Sequence, residues 1–239
     1  MKYLGSKARI AKEILPIILK DRKPYQYYVE PFVGGCNTMD KVDGLRIGAD
    51  KNKYLIAMWD GLVGGRKGLA SISREDYVIA RNEYKSPDSI LSDFDLGWIG
   101  WMGSFNGRFF DGGYSGATST RDYVAEQMRN TKSQLDALKL VKFYSCSYDE
   151  LDYPEGAIIY CDPPYKGTKQ YAASKDFDHD KFWNWCRRMA ISGHSVFISE
   201  YNAPKDFDCI WQKEITNSMS TRNTYRPIEK LFKYNTNSF

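Results

Sequence analysis

The chain has 239 residues, 42% hydrophobic and 15% aromatic, which suits one large domain or one domain carrying an insert and excludes a disordered chain. No apolar run approaches the roughly 18 residues of a membrane span, and charges interrupt the first twenty residues, unlike a signal peptide, so the expectation is a cytoplasmic protein without a membrane partner. The net charge of +4 permits a polyanionic partner without requiring one, while five scattered cysteines and two isolated histidines, His179 and His194, argue for reduced thiols and against a metal site.

Residues 6–20, SKARIAKEILPIILK, have Ile10, Ile14, Ile17 and Ile18 at helical spacing, with Ser6 as a cap and Pro16 as a kink or a stop. A short strand over Tyr27–Val33 then ends in glycines, and a helix is expected to start near Thr38. LRIGADKN reads as a second strand ending at Asp50, followed by a helix over NKYLIAMWDGLVGG. Residues 63–139 differ in character. SRED (73–76) resembles a capping box. FDLGWIGWMGS and the glycine-rich FNGRFFDGGYSGATSTR follow, and then a mixed, charged helix over roughly 121–138. This block does not alternate strand and helix and is expected to be an insert between the two parts, 1–62 and 140–239, of the main domain.

Alternation resumes with strands at 141–147, 157–161 and 194–200 and a helix at 178–192 that carries Phe182, Trp185, Cys186 and Met189 on one face. Stretches near 209–215 and 228–233 suit a closing antiparallel pair. Strand–helix alternation implies an α/β fold, a mostly parallel sheet with right-handed crossovers.

Ligands of such sheets sit beyond the carboxyl ends of the strands, and three strand ends here carry unusual residues: EPFVGG, GADKN and CDPPY. Gly34 and Gly35 allow a sharp turn and close approach of backbone to a ligand. Asp50, at the end of the next strand, suits the two hydroxyls of a ribose. No phosphate-cradling Gly-x-x-x-x-Gly-Lys loop and no Gly-x-Gly-x-x-Gly is present, so a nucleoside without a pyrophosphate is favoured. In Asp162-Pro163-Pro164-Tyr165, each of the first two residues precedes a proline and is held extended. The Asp162 carboxylate and the Pro163 carbonyl are thereby fixed as two acceptors beside the flat ring of Tyr165, an arrangement for gripping a planar amine.

DPPY after an apolar strand, with EPFVGG upstream, resembles the amino-group DNA methyltransferases, and within them the Dam-like N6-adenine enzymes of the alpha group, phage-borne ones included. KYLGSK, ADKN, FYSCSYDEL, IIYCDPPY and VFISEYNAP extend the likeness over most of the chain, with 63–104 matching poorly. The resemblance implies a Rossmann-like fold, S-adenosyl-L-methionine as cofactor, double-stranded DNA as partner, no metal, and GATC as the sequence to test. It implies cofactor contacts at Tyr3, Lys7, Phe32, Gly34, Asp50, Ser147, Tyr148 and Asp162, and catalysis by Asp162, Pro163 and Tyr165. Gly34-Gly35-Cys36 departs from the Gly-Ala-Gly usual in the family. The 63–139 block becomes the target-recognition element, with a hairpin turning at Asp111-Gly112-Gly113. Asn106 and Arg108 are its base-edge candidates, and Arg121, Lys166 and Lys169 are candidates for phosphate contact. Related amine chemistries stay open: cytosine N4, RNA, protein glutamine, or a DNA-binding module without catalysis.

Overall fold

Apolar and β-branched runs bounded by turns become strands, and in the computed structural model, which describes residues 1–167, 177–215 and 227–235, they form a single sheet. The strands are β1 (Tyr28–Glu30), β2 (Arg46–Asp50), β3 (Val141–Ser145), β4 (Ile158–Cys161), β5 (Ser195–Glu200), β6 (Phe207–Glu214) and β7 (Ile228–Tyr234), in the order β3-β2-β1-β4-β5-β7-β6. The first five in that order run parallel, and β7 lies antiparallel between β5 and β6. β1 and β4 are buried along their whole length, as parallel strands covered on both faces must be. The chain winds from β1 out to β3, then returns to β4 on the other side of β1 and proceeds to β5. The winding therefore reverses between β1 and β4, where a ligand crevice opens in folds of this kind.

The helices cover both faces. α1 (Ala11–Ile18) precedes β1; α2 (Lys53–Val63), α3 (Arg74–Glu83), α4 (Asp93–Gly103), α5 (Tyr123–Lys132) and the short α6 (Leu135–Leu138) lie in one stretch between β2 and β3, and α7 (His179–Ile191) follows β4. Alternate residues along the strands separate two clusters: Tyr28, Ile158, Tyr160 and Phe197 pack with α1, α2 and α4, whereas Val29, Ile159, Cys161 and Ile198 pack with α7. α7 buries Phe182, Trp183, Trp185 and Cys186 and is capped by Asp178. Asn52 caps α2, its side chain accepting from the N–H groups of Tyr54 and Leu55. Ser73 and Asp76 form the expected reciprocal capping box at the start of α3.

Several local expectations differ. Ser6 does not cap α1: Ile10 stands at that position, and the Ser6 hydroxyl accepts instead from the Ala8 N–H at 3.3 Å. Pro16 lies inside α1, which continues to Ile18, because burial of Ala11, Ile14, Leu15 and Ile18 outweighs one missing hydrogen bond. β1 has three residues rather than seven, and the helix expected near Thr38 is a single 3-10 turn, Met39–Lys41. The helix over 121–138 is divided at Ser133–Gln134. The expected hairpin is a returning loop with one bridge, Ser104 to Tyr114, and its turn is closed by Asp111 N–H donating to the Arg108 carbonyl at 2.7 Å.

FDLGWIGWM, given no element from the sequence, lies in α4, nine of whose eleven residues are buried; a helix apolar all round belongs in a core. α3, α4 and α5 share the cluster of α1 and α2 through Tyr77, Phe94, Trp98, Trp101, Val124 and Met128. Thus residues 63–139 build one side of the core that supports the sheet. α4 crosses α2 so closely that a Cβ on Gly97 would lie 2.1 Å from the Tyr54 carbonyl oxygen.

Candidate active site

The carboxyl ends of β1, β2 and β4 lie side by side, since β1 pairs in parallel with both β2 and β4. EPFVGG, ADKN and DPPY therefore meet at one edge of the sheet, flanking the winding reversal. Gly34 adopts φ +48°, which glycine tolerates without strain. Its N–H donates to Asp50 Oδ2 at 3.2 Å and its carbonyl accepts from the Trp59 indole at 3.0 Å. Asp50 Oδ1 accepts from the Asn52 N–H at 2.9 Å. Burial pushes the Asp50 carboxyl up to about 6 against the pull of these two N–H donors.

Tyr3 lies across the glycines: a Cβ on Gly34 would fall 2.7 Å from its ring and one on Gly35 2.6 Å from its Cβ. Tyr3 also packs against Trp101 of α4, ring centroids 5.1 Å apart. Phe32 and Tyr148 stack at 5.5 Å, edged by Phe177 and Phe182. Ser147 closes a turn, its N–H donating to Glu150 at 2.9 Å and its hydroxyl to Asp149 at 2.6 Å.

Lys7 reaches the DPPY tetrapeptide. Its Nζ lies 2.8 Å from Asp162 Oδ1 and 4.6 Å from the centroid of the Tyr165 ring, and it donates to the Gly5 carbonyl at 2.9 Å. Burial raises the Asp162 carboxyl above the usual carboxylate range, while Lys7 and the Tyr165 hydroxyl pull it the other way. The lysine expected at the cofactor is thus held by Asp162. The Tyr165 ring, expected as a stacking platform, is buried beneath that ammonium and edged by Tyr201 at 4.7 Å. Pro163 is buried between them in sequence.

Three carboxylates that sequence reasoning missed surround the tetrapeptide. Glu229 accepts from the Tyr165 hydroxyl at 2.8 Å. Glu200, ending β5, accepts from the Lys166 N–H at 2.7 Å and from the Tyr201 N–H, fixing the chain after DPPY to the strand beside it. Glu30, ending β1, accepts from the hydroxyls of Tyr28 and Thr38, both at 2.8 Å, and burial pushes it up to about 8. Glu30 and Glu200 lie in EPFVGG and VFISEYNAP, stretches that carried the resemblance, but with no role attached to either acid, and Glu229 lies in none, so only the packing distinguishes these three.

Glu30 has a consequence for stability. Its folded value lies above its ordinary 4.5, so the folded state holds a proton that the unfolded chain has lost between those values. Stability falls as pH rises through that window. Glu30→Gln, which mimics the protonated acid, is expected to flatten the decline of melting temperature between pH 5 and about 8 relative to the parent; calorimetric scans of both proteins across that range check it, and equal slopes would contradict it.

Of the DNA candidates, Asn106 is exposed in a left-handed conformation, φ +53°. Next to it, a Cβ on Gly107 would meet the Lys2 carbonyl oxygen at 2.4 Å, so this loop rests on the segment that carries Tyr3 and Lys7. Arg108 is half-buried, its Nε enclosed without an acceptor among the described residues. Arg121 is exposed and paired with Glu126, whose carboxyl Arg121 and Lys2 hold down to about 2. Lys166 is exposed beside Tyr165. Lys169 lies outside the described residues. Among the described residues, no group of three metal-ligating side chains occurs and no helix is long and apolar enough to cross a membrane.

A family model described as D12 class N6 adenine-specific DNA methyltransferase matches residues 3–87 and 102–225. The match takes in all three motif-bearing strand ends and much of the block that the sequence resemblance left out, with a gap only at 88–101, the approach to α4 and most of that helix. No curated protein matches the chain.

Proposed function

The chain belongs to the D12 class N6 adenine-specific DNA methyltransferase family, and we propose that it methylates one adenine within a specific sequence of double-stranded DNA, with Asp162 and the Pro163 carbonyl accepting the hydrogen bonds of the adenine amino group. It is an adenine-specific DNA methyltransferase whose methyl donor is S-adenosylmethionine, which supplies the methyl group on a sulfonium, a good leaving group. The observation that carries the residue assignment is the adjacency, at one sheet edge, of the Asp50–Gly34 pair and the Asp162 carboxylate.

The donor set fits that cofactor. Asp50 is a half-buried carboxylate beside a glycine turn, suited to a ribose diol, and Tyr3, Phe32 and Tyr148 supply aromatic surface around it. Ser147 lies on the turn beside Tyr148. Asp162 and Pro163 draw electron density of the amino lone pair out of the ring by accepting its N–H bonds, and hold the nitrogen in line. Catalysis is then positioning and fixed dipoles. A base inside a duplex cannot reach this edge, so the adenine is turned out of the helix at a cost of a few kcal/mol. Tyr165 and Tyr201 form the aromatic wall on which it stacks once Lys7 withdraws.

Residues 63–139 serve as the target-recognition part, with exposed Asn106 at a base edge and Arg108 next to it. Lys166 contacts phosphate, as does Arg121 after exchanging Glu126 for the backbone; Lys169 belongs to the same set. Plasmid DNA from cells expressing the protein, read by modification-sensitive sequencing, is expected to carry N6-methyladenine at one recurring sequence, with GATC the first to score. Transfer of radiolabelled methyl to RNA or protein with none to DNA would overturn this reading.

A further inference from the structure

Glu229 belongs to the strand β7 yet is 6% exposed, and nothing in the reaction as described uses it. Its Oε2 accepts the Tyr165 hydroxyl at 2.8 Å and lies 3.9 Å from Lys7 Nζ, the same ammonium that sits 2.8 Å from Asp162. The Lys7 side chain is 8% exposed, so one buried cation stands between two carboxylates, close to one and just beyond hydrogen-bond distance of the other. An adenine amino group arriving at Asp162 competes with that cation for the carboxylate. A buried ammonium released with no other carboxylate is strongly unfavourable. Glu229 lies within a small side-chain movement of Lys7 and is already held by Tyr165, so it offers the cation a second partner without rearranging the strand.

We propose that Glu229 is a positioning residue for methyl transfer, receiving the Lys7 ammonium when Asp162 turns to the adenine amino group and fixing Tyr165 through its hydroxyl meanwhile. The proposal rests on Asp162 being the amino-group acceptor, as argued above. It makes the buried lysine a gate between two carboxylates: on Asp162 in the protein alone, on Glu229 in the complex with an adenine.

Glu229→Gln tests it, because the amide keeps an oxygen for Tyr165 and loses only the charge. The expected result is a kcat for DNA methylation lower by at least on the order of tenfold, with the dissociation constant of S-adenosylmethionine within about twofold of the parent and an unchanged circular dichroism spectrum. Glu229→Asp, which keeps the charge, recovers part of the rate, and Tyr165→Phe, which removes only the hydroxyl, loses less than Glu229→Gln. A Glu229→Gln protein with the parent's kcat, or a Glu229→Asp protein no faster than Glu229→Gln, overturns the proposal. Should Glu229→Gln fail to fold, a crystal structure of the parent with sinefungin and a duplex carrying its target adenine decides: Lys7 Nζ against Glu229 supports it, and Lys7 still against Asp162 overturns it. Asp162→Asn separates the two levels. An active Asp162→Asn protein defeats the acceptor reading itself, whereas an inactive one beside a fully active Glu229→Gln defeats the lysine gate alone.

Discussion

Asp162→Ala is expected to abolish adenine methylation while leaving S-adenosylmethionine bound. Asp162 is the one side-chain acceptor of the DPPY corner, and its direction is set by the proline that follows it. On the proposed assignment, removing it deprives the amino group of the interaction that localises its lone pair. Loss of a single preorganised polar group of this kind costs about a hundred- to a thousandfold in turnover. The residues assigned to the cofactor, Tyr3, Gly34 and Asp50, hold one another through contacts in which Asp162 has no part. The fold should also survive: Lys7 keeps Glu229 at 3.9 Å and the Gly5 carbonyl at 2.9 Å, so the buried ammonium is not left bare. Radiolabelled methyl transfer to plasmid DNA and calorimetry with S-adenosylmethionine read the two halves. Near-parental turnover refutes the catalytic assignment, and loss of cofactor binding would mean that Asp162 belongs to the donor's site instead.

The largest effect on stability is expected at Gly97→Ala. On an ordinary helix surface this change is favourable by about 1 kcal/mol. Here the new methyl would lie 2.1 Å from the Tyr54 carbonyl oxygen, with the Met58 Cβ at 3.1 Å. The obstacle is the backbone of α2, which no rotamer change can move aside, so the two helices must separate. Overpacking costs typically about 1–3 kcal/mol and more where backbone must shift, and the net loss is expected to be on the order of 2 kcal/mol. For a chain of this size that lowers the melting temperature by at least about 4 °C. Scanning calorimetry checks it; an unchanged or raised melting temperature would show that α2 and α4 part without cost. Because Tyr3 packs on Trp101 of α4, separation should also loosen the glycine turn beneath Tyr3.

Much of the site is written in short stretches whose chemistry depends only on neighbours in the chain. Two prolines after Asp162 restrict the backbone whatever surrounds them, and a glycine pair after an apolar strand permits the turn at Gly34 in any context. Strand–helix alternation requires crossovers and hence a parallel sheet, so EPFVGG, ADKN and DPPY had to meet at the carboxyl edge. Segment 94–103 was not legible, since its glycines at 97, 100 and 103 lower helix propensity and explain themselves only against the Tyr54 carbonyl, Phe109 and Tyr77.

The amino-acid sequence by itself therefore determined the sheet and the rigid corner at DPPY, which rest on periodicity and on local backbone restriction, while its motifs carried the resemblance to the family that the family model shows. Only the tertiary structure decided which charges meet. Lys7, Asp162 and Glu229 come from the amino-terminal segment, the end of β4 and the last strand, and their meeting within 4 Å depends on the winding reversal between β1 and β4 and on β7 inserting beside β5. Burial then gives an acid that would be unremarkable in water a partner and a direction, and no pattern of neighbouring residues carries that information.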